Sequence, residues 1–213
     1  MRSDIILKLK NTFHFIGLSA IPISAGLIYF LTNAHGDFVL FLNQGHQPIL
    51  DYFFRYYTWF GSGFLVVGLI LIFVLKKMWP LAILTAVIGI MQAVVAGFFK
   101  VLLFPQVPRP ATFFAPNDLD FVEGVTTLFY RSFPSGHTLT AFSVAALLAS
   151  LTDQKWMQLI LMLAATLVAI SRIYLGLHFL IDTVVGAVVG ILITTISLLL
   201  YRKYYVKAKG IQL

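Results

Sequence analysis

The sequence has no cysteine and few charged residues. Only 11% of its 213 residues are charged, against roughly 25% in soluble domains, and 60% are hydrophobic. Without cysteine the chain forms no disulfide bond, and this absence fits any redox compartment. The shortage of charge excludes an ordinary soluble protein and, together with a mean hydropathy of +0.93, indicates an integral membrane protein.

Other patterns are missing as well. The sequence has no internal repeat, low-complexity tract or linker, so we expect one integral membrane domain over residues 1–213. It lacks the alternation of apolar and polar residues that transmembrane barrel strands need, and open sheets do not span lipid. The fold class that remains is all-α, a bundle of transmembrane helices.

Long apolar runs are what the sequence does contain. Runs of about 17–25 residues predict membrane-spanning helices. The first run is too long for the ~7–15-residue core of a cleavable signal peptide, so we expect it to remain as an anchor. Six spans are predicted, near residues 12–32, 52–75, 79–103, 136–152, 156–175 and 178–200.

Basic residues predict the orientation of these spans. Six crossings place ten of the 15 Lys and Arg residues on one side of the membrane, with both termini. The positive-inside rule makes that side cytoplasmic, in the plasma (inner) membrane. The net charge of +7 is then mostly an inner-leaflet anchor and gives no reason to expect a nucleic acid partner. The ten residues are Arg2, Lys8, Lys10, Lys76, Lys77, Lys155, Arg202, Lys203, Lys207 and Lys209.

The remaining polar residues fall mostly at the opposite face, toward the periplasm or cell exterior. The long outer connection, 104–135, carries five of the eight prolines and many aromatic residues, which predicts an irregular loop at the membrane interface. The shorter outer segment HGDFVLFLNQGH is typical of an amphipathic piece that lies flat on the membrane. Lys100, Arg109, PSGH (134–137) and SRIYLGLHFLID (171–182) share this outer depth.

An ionisable group inside hydrocarbon costs at least ~2.5–3.5 kcal/mol, so polar residues there favour a functional site. His178 and Asp182 are four residues apart at a helix start and therefore share one face. The carboxylate can hold one imidazole N–H and leave the other nitrogen free as a nucleophile. His137, in the neighbouring PSGH turn, is then suited to protonate a leaving oxygen.

The residues around this pair are suited to an anion. The PSG stretch (134–136) begins a helix, where free backbone N–H groups and the positive end of the dipole attract negative charge. Arg109 and Arg172 add planar, bidentate donors, and Lys100 adds a point charge. Such a collar fits a phosphoryl group and the charge on its oxygens during transfer.

These residues also match a known family. PSGH and SR-x3-G-x-H-x3-D resemble the second and third signature motifs of the type-2 phosphatidic acid phosphatase superfamily of membrane lipid phosphatases, and Lys100 with Arg109-Pro110 resembles the first. The resemblance covers residues 100–182 by motif and the whole chain by its six-span layout. Eight residues separate Lys100 from Arg109, more than the family usually has, so either the loop bulges or Lys100 is less intimately involved.

The resemblance implies a role for each matching residue. His178 attacks phosphorus, Asp182 orients the imidazole of His178, and His137 is the general acid. The phosphate is held by Lys100, Arg109, Ser135, Gly136 and Arg172. The implied activity is that of a metal-independent phosphoric monoester or diphosphate hydrolase with a histidine nucleophile.

The substrate implied is a lipid phosphate or diphosphate, with undecaprenyl diphosphate as first choice and phosphatidylglycerophosphate or lipid A phosphates as alternatives. A lipid phosphotransferase with the same phosphohistidine stays open. A transporter is disfavoured because the polar residues crowd the outer end, and a metal-dependent hydrolase because the site has one buried carboxylate. We expect membrane lipids as surroundings, and no cofactor, metal ion or obligate protein partner.

Other polar and small residues have simpler interpretations. Arg55, within YFFRYYTW, is typical of an arginine that snorkels in an aromatic belt rather than of a ligand. Arg131 lies close to PSGH but matches no motif, so its role stays open. We expect His14, His35 and His46 at interfaces or in loops, and Gly186 and Gly190 in close helix packing.

Overall fold

The computed structural model describes residues 8–115 and 117–206, and within these ranges the regular structure is helical, with no strand. This confirms the all-α fold class. The helices are α1 (Leu9–Thr32), α2 (Asp37–Asn43), α3 (Pro48–Tyr57), α4 (Gly63–Leu75), α5 (Trp79–Gly97), α6 (Pro110–Phe113), α7 (Gly136–Ser150), α8 (Lys155–Tyr174) and α9 (Leu180–Tyr201). A π-helical turn, Phe98–Leu103, extends α5, and a second, Arg202–Val206, extends α9.

Four of these helices are long and apolar enough to cross a membrane, counting α5 and α9 with their extensions. They are α1, α5, α8 and α9, and the α3–α4 pair makes a fifth candidate if it is taken as one span. A multi-pass helical membrane protein is therefore confirmed in outline. The six predicted crossings are not all matched by a long helix.

The predicted second span, 52–75, is bent in the structure. Helices α3 and α4 meet at 55°, with a 3₁₀ turn over Thr58–Gly61 and Ser62 in an extended conformation between them. The Ser62 hydroxyl donates to the Trp59 carbonyl at 2.7 Å and stabilises the break. Gly61 packs against α7, since a Cβ at this position would lie 2.6 Å from the His137 carbonyl oxygen. This contact brings the bend close to the PSGH turn.

The predicted fourth span, 136–152, is the shorter helix α7. Its 15 residues rise about 22 Å, less than the ~30 Å hydrocarbon core of a bilayer. Most of its residues are buried, because α1, α8 and α9 pack around it. The predicted close packing is confirmed at Gly190, where a Cβ would meet the Leu139 carbonyl oxygen at 2.3 Å, and at Gly186, which faces the Ser135 carbonyl.

The basic helix ends lie together at one end of the bundle. Leu9, Met78, Leu151 and Tyr201 belong to one apolar cluster, so the α1 start, the α4–α5 turn, the α7–α8 loop and the α9 end are neighbours. The loop at 104–135 lies at the other end, with Leu119 and Val122 buried against the α8–α9 turn. Arg2, Lys207 and Lys209 of the orientation argument, both termini and Pro116 lie outside the described residues.

Candidate active site

His178 and Asp182 lie in and just after the tight turn between α8 and α9. Gly176 has a φ of +65°, which glycine adopts without strain, and the His178 N–H donates to the Arg172 carbonyl at 3.2 Å. Asp182 is in the first turn of α9, where its Oδ2 accepts the Phe179 N–H at 3.0 Å and lies 3.2 Å from His178 Nδ1. Both side chains are buried. The turn therefore fixes the imidazole against the carboxylate, away from water.

The hydrogen bonds of His178 define its tautomer. Arg109 Nη1 lies 3.2 Å from His178 Nε2, and a guanidinium only donates, so Nε2 accepts and Nδ1 carries the proton. That proton is then donated to Asp182. Burial, together with the positive charges of Arg109 and Arg172, lowers the pKa of His178 well below its ordinary value. The imidazole is neutral at pH 7, with the Nε2 lone pair directed at Arg109.

Arg109 is held by backbone carbonyls from two loops. Its Nη1 donates to the Leu177 carbonyl at 2.7 Å, its Nε to the Tyr130 carbonyl at 2.9 Å and its Nη2 to the Arg131 carbonyl at 3.3 Å. Carbonyls fix a guanidinium without neutralising it. Burial lowers the pKa of Arg109, and the charge of Asp182 acts in the opposite direction. The side chain is thus an oriented, buried cation beside the histidine.

Arg172, near the end of α8, is only partly satisfied. Its Nη1 donates to Thr58 Oγ1 at 2.9 Å, whereas its buried Nε has no hydrogen-bond partner among the described residues. A buried donor without an acceptor is costly, more so when it is charged. The arrangement suits a ligand that brings its own negatively charged acceptor.

Lys100 and the PSGH turn complete the cationic surroundings of His178. Lys100, on the π-helical turn after α5, directs its ammonium group to 3.9 Å from where a Cβ of Gly136 would lie. Ser135 caps α7, accepting from the Thr138 N–H at 3.4 Å, and its own N–H donates to the Asp182 carbonyl at 2.9 Å. The α7 start and the α9 start are therefore tied together. The positive charges of Arg172, Lys100 and Arg109 also act on His137.

The structure thus brings the predicted residues together from four separate parts of the chain. We call this set the constellation; it contains Lys100, Arg109, Ser135, Gly136, His137, Arg172, His178 and Asp182. No sequence distance required this, since Lys100 and Asp182 are more than eighty residues apart.

Two other arginines and the remaining histidines have contacts of different kinds. Arg55 donates to the Glu123 carbonyl at 2.9 Å and lies 5.6 Å from the Tyr56 ring centre, as expected of an arginine in an aromatic belt. Arg131 has an exposed side chain and a left-handed backbone, with φ +59°, and it contributes its carbonyl to Arg109. Further contacts join His14 to Gln158, His46 to Asn43 and Tyr174, and the His35 ring to the Phe179 ring.

Two residues in contact with this constellation were not found from the sequence. Ser132 donates to Asp182 Oδ2 at 2.5 Å and lies 3.4 Å from His178 Nδ1. Its position two residues before Pro134, in an otherwise aromatic stretch, is the signal that was available. Thr58, which accepts from Arg172, comes from the bend between α3 and α4, and nothing in YYTWFG marks it.

Among the described residues, no three His, Asp or Glu side chains converge in a way that would hold a metal ion. What the site contains is a neutral histidine held by a carboxylate, a second histidine and three cations. Chemically, this combination can hold an anion with several oxygens against Nε2 of His178, the imidazole nitrogen that faces Arg109.

Proteins similar in sequence to this chain carry the names of phosphatases. The chain is 34% identical over 154 residues to an undecaprenyl-diphosphatase of Sulfolobus acidocaldarius, covering 72% of this chain and 68% of that protein. It is 29% identical over 169 residues to a lipid A 4'-phosphatase of Bacteroides thetaiotaomicron, covering 77% and 75%.

A solved structure is similar over most of the fold. The phosphatidylglycerolphosphate phosphatase of the PAP2 type from Bacillus subtilis has a TM-score of 0.62 and 25% identity, covering 92% of this chain and 96% of its own. The family model described as the PAP2 superfamily matches residues 79–205, which include all eight predicted site residues. The chain belongs to the PAP2 superfamily.

Proposed function

We propose that this membrane lipid phosphatase transfers the phosphoryl group of a lipid phosphate or diphosphate first to His178 and then to water, without a metal ion. The observation that carries the proposal is the pairing of a neutral His178, its Nδ1–H held by Asp182, with the unpartnered Nε of Arg172. A nucleophile and an anion-binding donor are therefore both present in the constellation. The assignment as a PAP2 membrane lipid phosphatase rests on the family match and on the names of similar proteins.

In the first step, the Nε2 lone pair of His178 forms a bond to phosphorus while the bond to the leaving oxygen breaks. That oxygen takes a proton from the imidazolium form of His137, which the negative charge of the bound phosphate stabilises against the neighbouring cations. The imidazole becomes positively charged, and the carboxylate of Asp182 stabilises it through Nδ1–H. The Arg109 donor that now faces Nε2 passes to a phosphoryl oxygen.

In the second step, a water molecule attacks phosphorus, gives a proton to His137 and breaks the bond to His178. Inorganic phosphate is released and the neutral imidazole is restored. If a lipid hydroxyl replaces the water, the same intermediate gives a phosphotransferase. The two activities differ only in the acceptor, so inorganic phosphate produced in the absence of an added acceptor distinguishes them.

The phosphate is held from several sides. Arg109 and Arg172 offer N–H groups in planes that match phosphoryl oxygens, and Lys100 adds charge beside Gly136. The first-turn N–H groups of α7 are free of helical partners and face negative charge favourably. As transfer proceeds, charge spreads over the equatorial oxygens, and these donors stabilise it.

The substrate we propose first is undecaprenyl diphosphate. A protein with 34% identity to this chain is named an undecaprenyl-diphosphatase. In addition, the leaving group of a diphosphate is itself a phosphate, which is easily expelled. Phosphatidylglycerophosphate and lipid A phosphates are the alternatives, supported by the names of other similar proteins.

For the topology, we propose six crossings with both termini in the cytoplasm and the active site facing the periplasm or cell exterior. The basic helix ends lie together at one end of the bundle, and the constellation lies toward the other. The short helix α7 is surrounded by longer helices, so its ends need not reach both headgroup layers.

The test is phosphate release by the detergent-purified protein from the three lipid phosphates, each with and without EDTA. We expect release to survive EDTA, to be highest with undecaprenyl diphosphate and to be absent in His178→Ala. His14→Ala is the matched control, because His14 contacts Gln158 and takes no part in the constellation. A strict Mg²⁺ requirement, or full turnover by His178→Ala, would contradict the mechanism.

A further inference from the structure

A serine hydroxyl bridges the two members of the His178–Asp182 pair. Ser132 is fully buried, its Oγ lies 2.5 Å from Asp182 Oδ2, and the same atom lies 3.4 Å from His178 Nδ1. A carboxylate oxygen only accepts, so the single hydroxyl hydrogen is donated to Asp182. The lone pairs of Ser132 then face the Nδ1–H of the imidazole. One small side chain therefore contacts both partners.

The backbone that carries Ser132 also fixes Arg109. The Ser132 N–H donates to the Val107 carbonyl at 3.2 Å, and the two preceding carbonyls, those of Tyr130 and Arg131, accept from the Arg109 guanidinium. Arg131 has a left-handed backbone conformation that residues other than glycine rarely adopt. This turn thus sets the position of the Ser132 hydroxyl relative to the buried cation.

We propose that Ser132 is a positioning residue that holds Asp182 against His178 during phosphoryl transfer, and this inference rests on the proposed function. Asp182 Oδ2 receives three donors, from Ser132, from the Phe179 N–H and from His178. They fix the carboxylate rotamer, so the negative charge is already in place when the imidazole becomes positive. Ser132 does not touch the reacting Nε2 atom and acts only through the pair.

The variants Ser132→Thr and Ser132→Val separate the hydroxyl from packing, because Thr and Val have nearly the same shape and Val carries a methyl group where Thr keeps the hydroxyl. We expect Ser132→Val to lose ~10–100-fold in kcat relative to Ser132→Thr, as is typical when an outer hydrogen-bond partner is removed, with little change in KM. The acid limb of its kcat–pH profile should move to higher pH, because a carboxylate that has lost a donor holds its charge less well.

Two further variants guard against a folding artefact. Ser132→Ala adds no atoms, and we expect it to lose kcat like Ser132→Val while keeping the Tm of a folded protein. Ser150→Ala is the control for loss of a buried hydroxyl, since Ser150 is fully buried and donates only to the Leu147 carbonyl at the far end of α7. We expect its kcat and acid limb to match those of the unmodified protein.

Nitrogen-15 NMR of the histidine side chains gives a readout that does not need turnover. The Nδ1–H signal of His178, assigned with His178→Gln, should persist in Ser132→Thr and weaken or shift in Ser132→Val. Equal kcat, equal acid limbs and equal NMR signals for the two variants would overturn the positioning role. If the unmodified protein released no phosphate from any lipid phosphate, the proposed function would fail, and the NMR comparison would still decide the role of Ser132.

Discussion

The two ends of the bundle differ in how their charged side chains are paired and exposed. At the end that carries the basic helix termini, Lys8 and Lys10 pair with Asp153, and Asn11 donates to the same carboxylate at 3.1 Å. The hydrogen bond from Lys8, followed by that from Asn11, lowers the pKa of Asp153. These groups are exposed to a large extent, so water and salt screen them.

At the other end, the positive charges are in excess, with Arg109 and Arg172 buried and Lys100 partly buried. Lys100, Arg109 and Arg172 all act on His178, and the carboxylate that opposes them among the described residues is Asp182. Such an excess does not stabilise the fold. The free energy needed to remove the cations from water is larger than the free energy gained from their attraction to one carboxylate. One end of the bundle therefore pairs its charges internally, and at the other end the proposed function assigns the excess positive charge to phosphate binding. Each of the following predictions concerns a residue at one of these two ends.

The largest effect is expected for Arg172→Met. The change removes a buried cation and its unpartnered Nε, so kcat/KM should fall by ~10²–10³-fold, as when a preorganised donor to a developing anion is lost. The Tm of the protein without substrate should stay the same or rise, because a costly buried charge is gone.

Orthovanadate, which mimics the pentacoordinate phosphorus, should raise the Tm of the unmodified protein and not that of Arg172→Met. Arg55→Met is the matched control, since Arg55 binds a carbonyl of the outer loop, and it should keep both activity and the vanadate response. A fall in Tm with activity retained would mean that Arg172 supports the fold rather than phosphate.

A smaller loss is expected for Thr58→Val. The variant keeps the shape of the side chain but removes the hydroxyl that accepts from Arg172, so the guanidinium loses one of its constraints. A hydrogen bond to a charged group predicts a loss of about 10-fold in kcat/KM. Thr85→Val, which removes another buried threonine hydroxyl, bonded within α5, should have no such effect. Equal kinetics for the two variants would exclude a role for the bend in holding Arg172.

Stability should depend on pH through His178. Its pKa is lowered in the folded protein, mainly by burial, so its stabilising contribution is complete above the unfolded value of about 6.5 and declines as pH falls below it. Between pH 7 and pH 5 this contribution lowers the Tm, so the Tm of the unmodified protein should fall more, or rise less, than that of His178→Gln. Partial burial also lowers the pKa of His35, and His35, His137 and Asp182 are all present in both proteins, so the difference between the two slopes reports His178. Identical slopes would show that the His178 imidazole is not held neutral by the fold.

The smallest effect is expected at the paired end. Asp153→Asn removes the partner of Lys8 and Lys10, but all three groups are exposed enough for water to replace the interaction. The variant should keep its kcat/KM and change its Tm only slightly, and high salt should reduce that small difference. A large loss of activity would show that the two ends are coupled.

Much of this site follows from the sequence because its signals are local. The spacing of His178 and Asp182 predicts a shared helix face, and the PSGH stretch predicts a helix start, whose Ser135 cap is observed in α7. The apolar runs predict the long helices α1, α5, α8 and α9, since hydrophobicity over about 20 residues is enough to require a span.

What the sequence does not predict depends on contacts between distant segments. The bend at Ser62 lies inside an apolar run that predicts one continuous helix. It accompanies the close packing of Gly61 against α7. Thr58 and Ser132 are ordinary polar residues until the fold places them beside Arg172 and Asp182. The wide spacing between Lys100 and Arg109 is accommodated by the π-helical turn and the loop after it, so Lys100 still faces Gly136.

The central claim is that His178 carries the phosphoryl group during turnover. The most direct measurement is to quench the reaction of a ³²P-labelled lipid phosphate at alkaline pH, where phosphohistidine survives, and to map the label by peptide mass spectrometry. We predict phosphate on the peptide that contains His178, no label in His178→Ala, and faster formation than steady-state turnover. Label on another residue, or turnover with no covalent phosphate at any time point, would contradict the account.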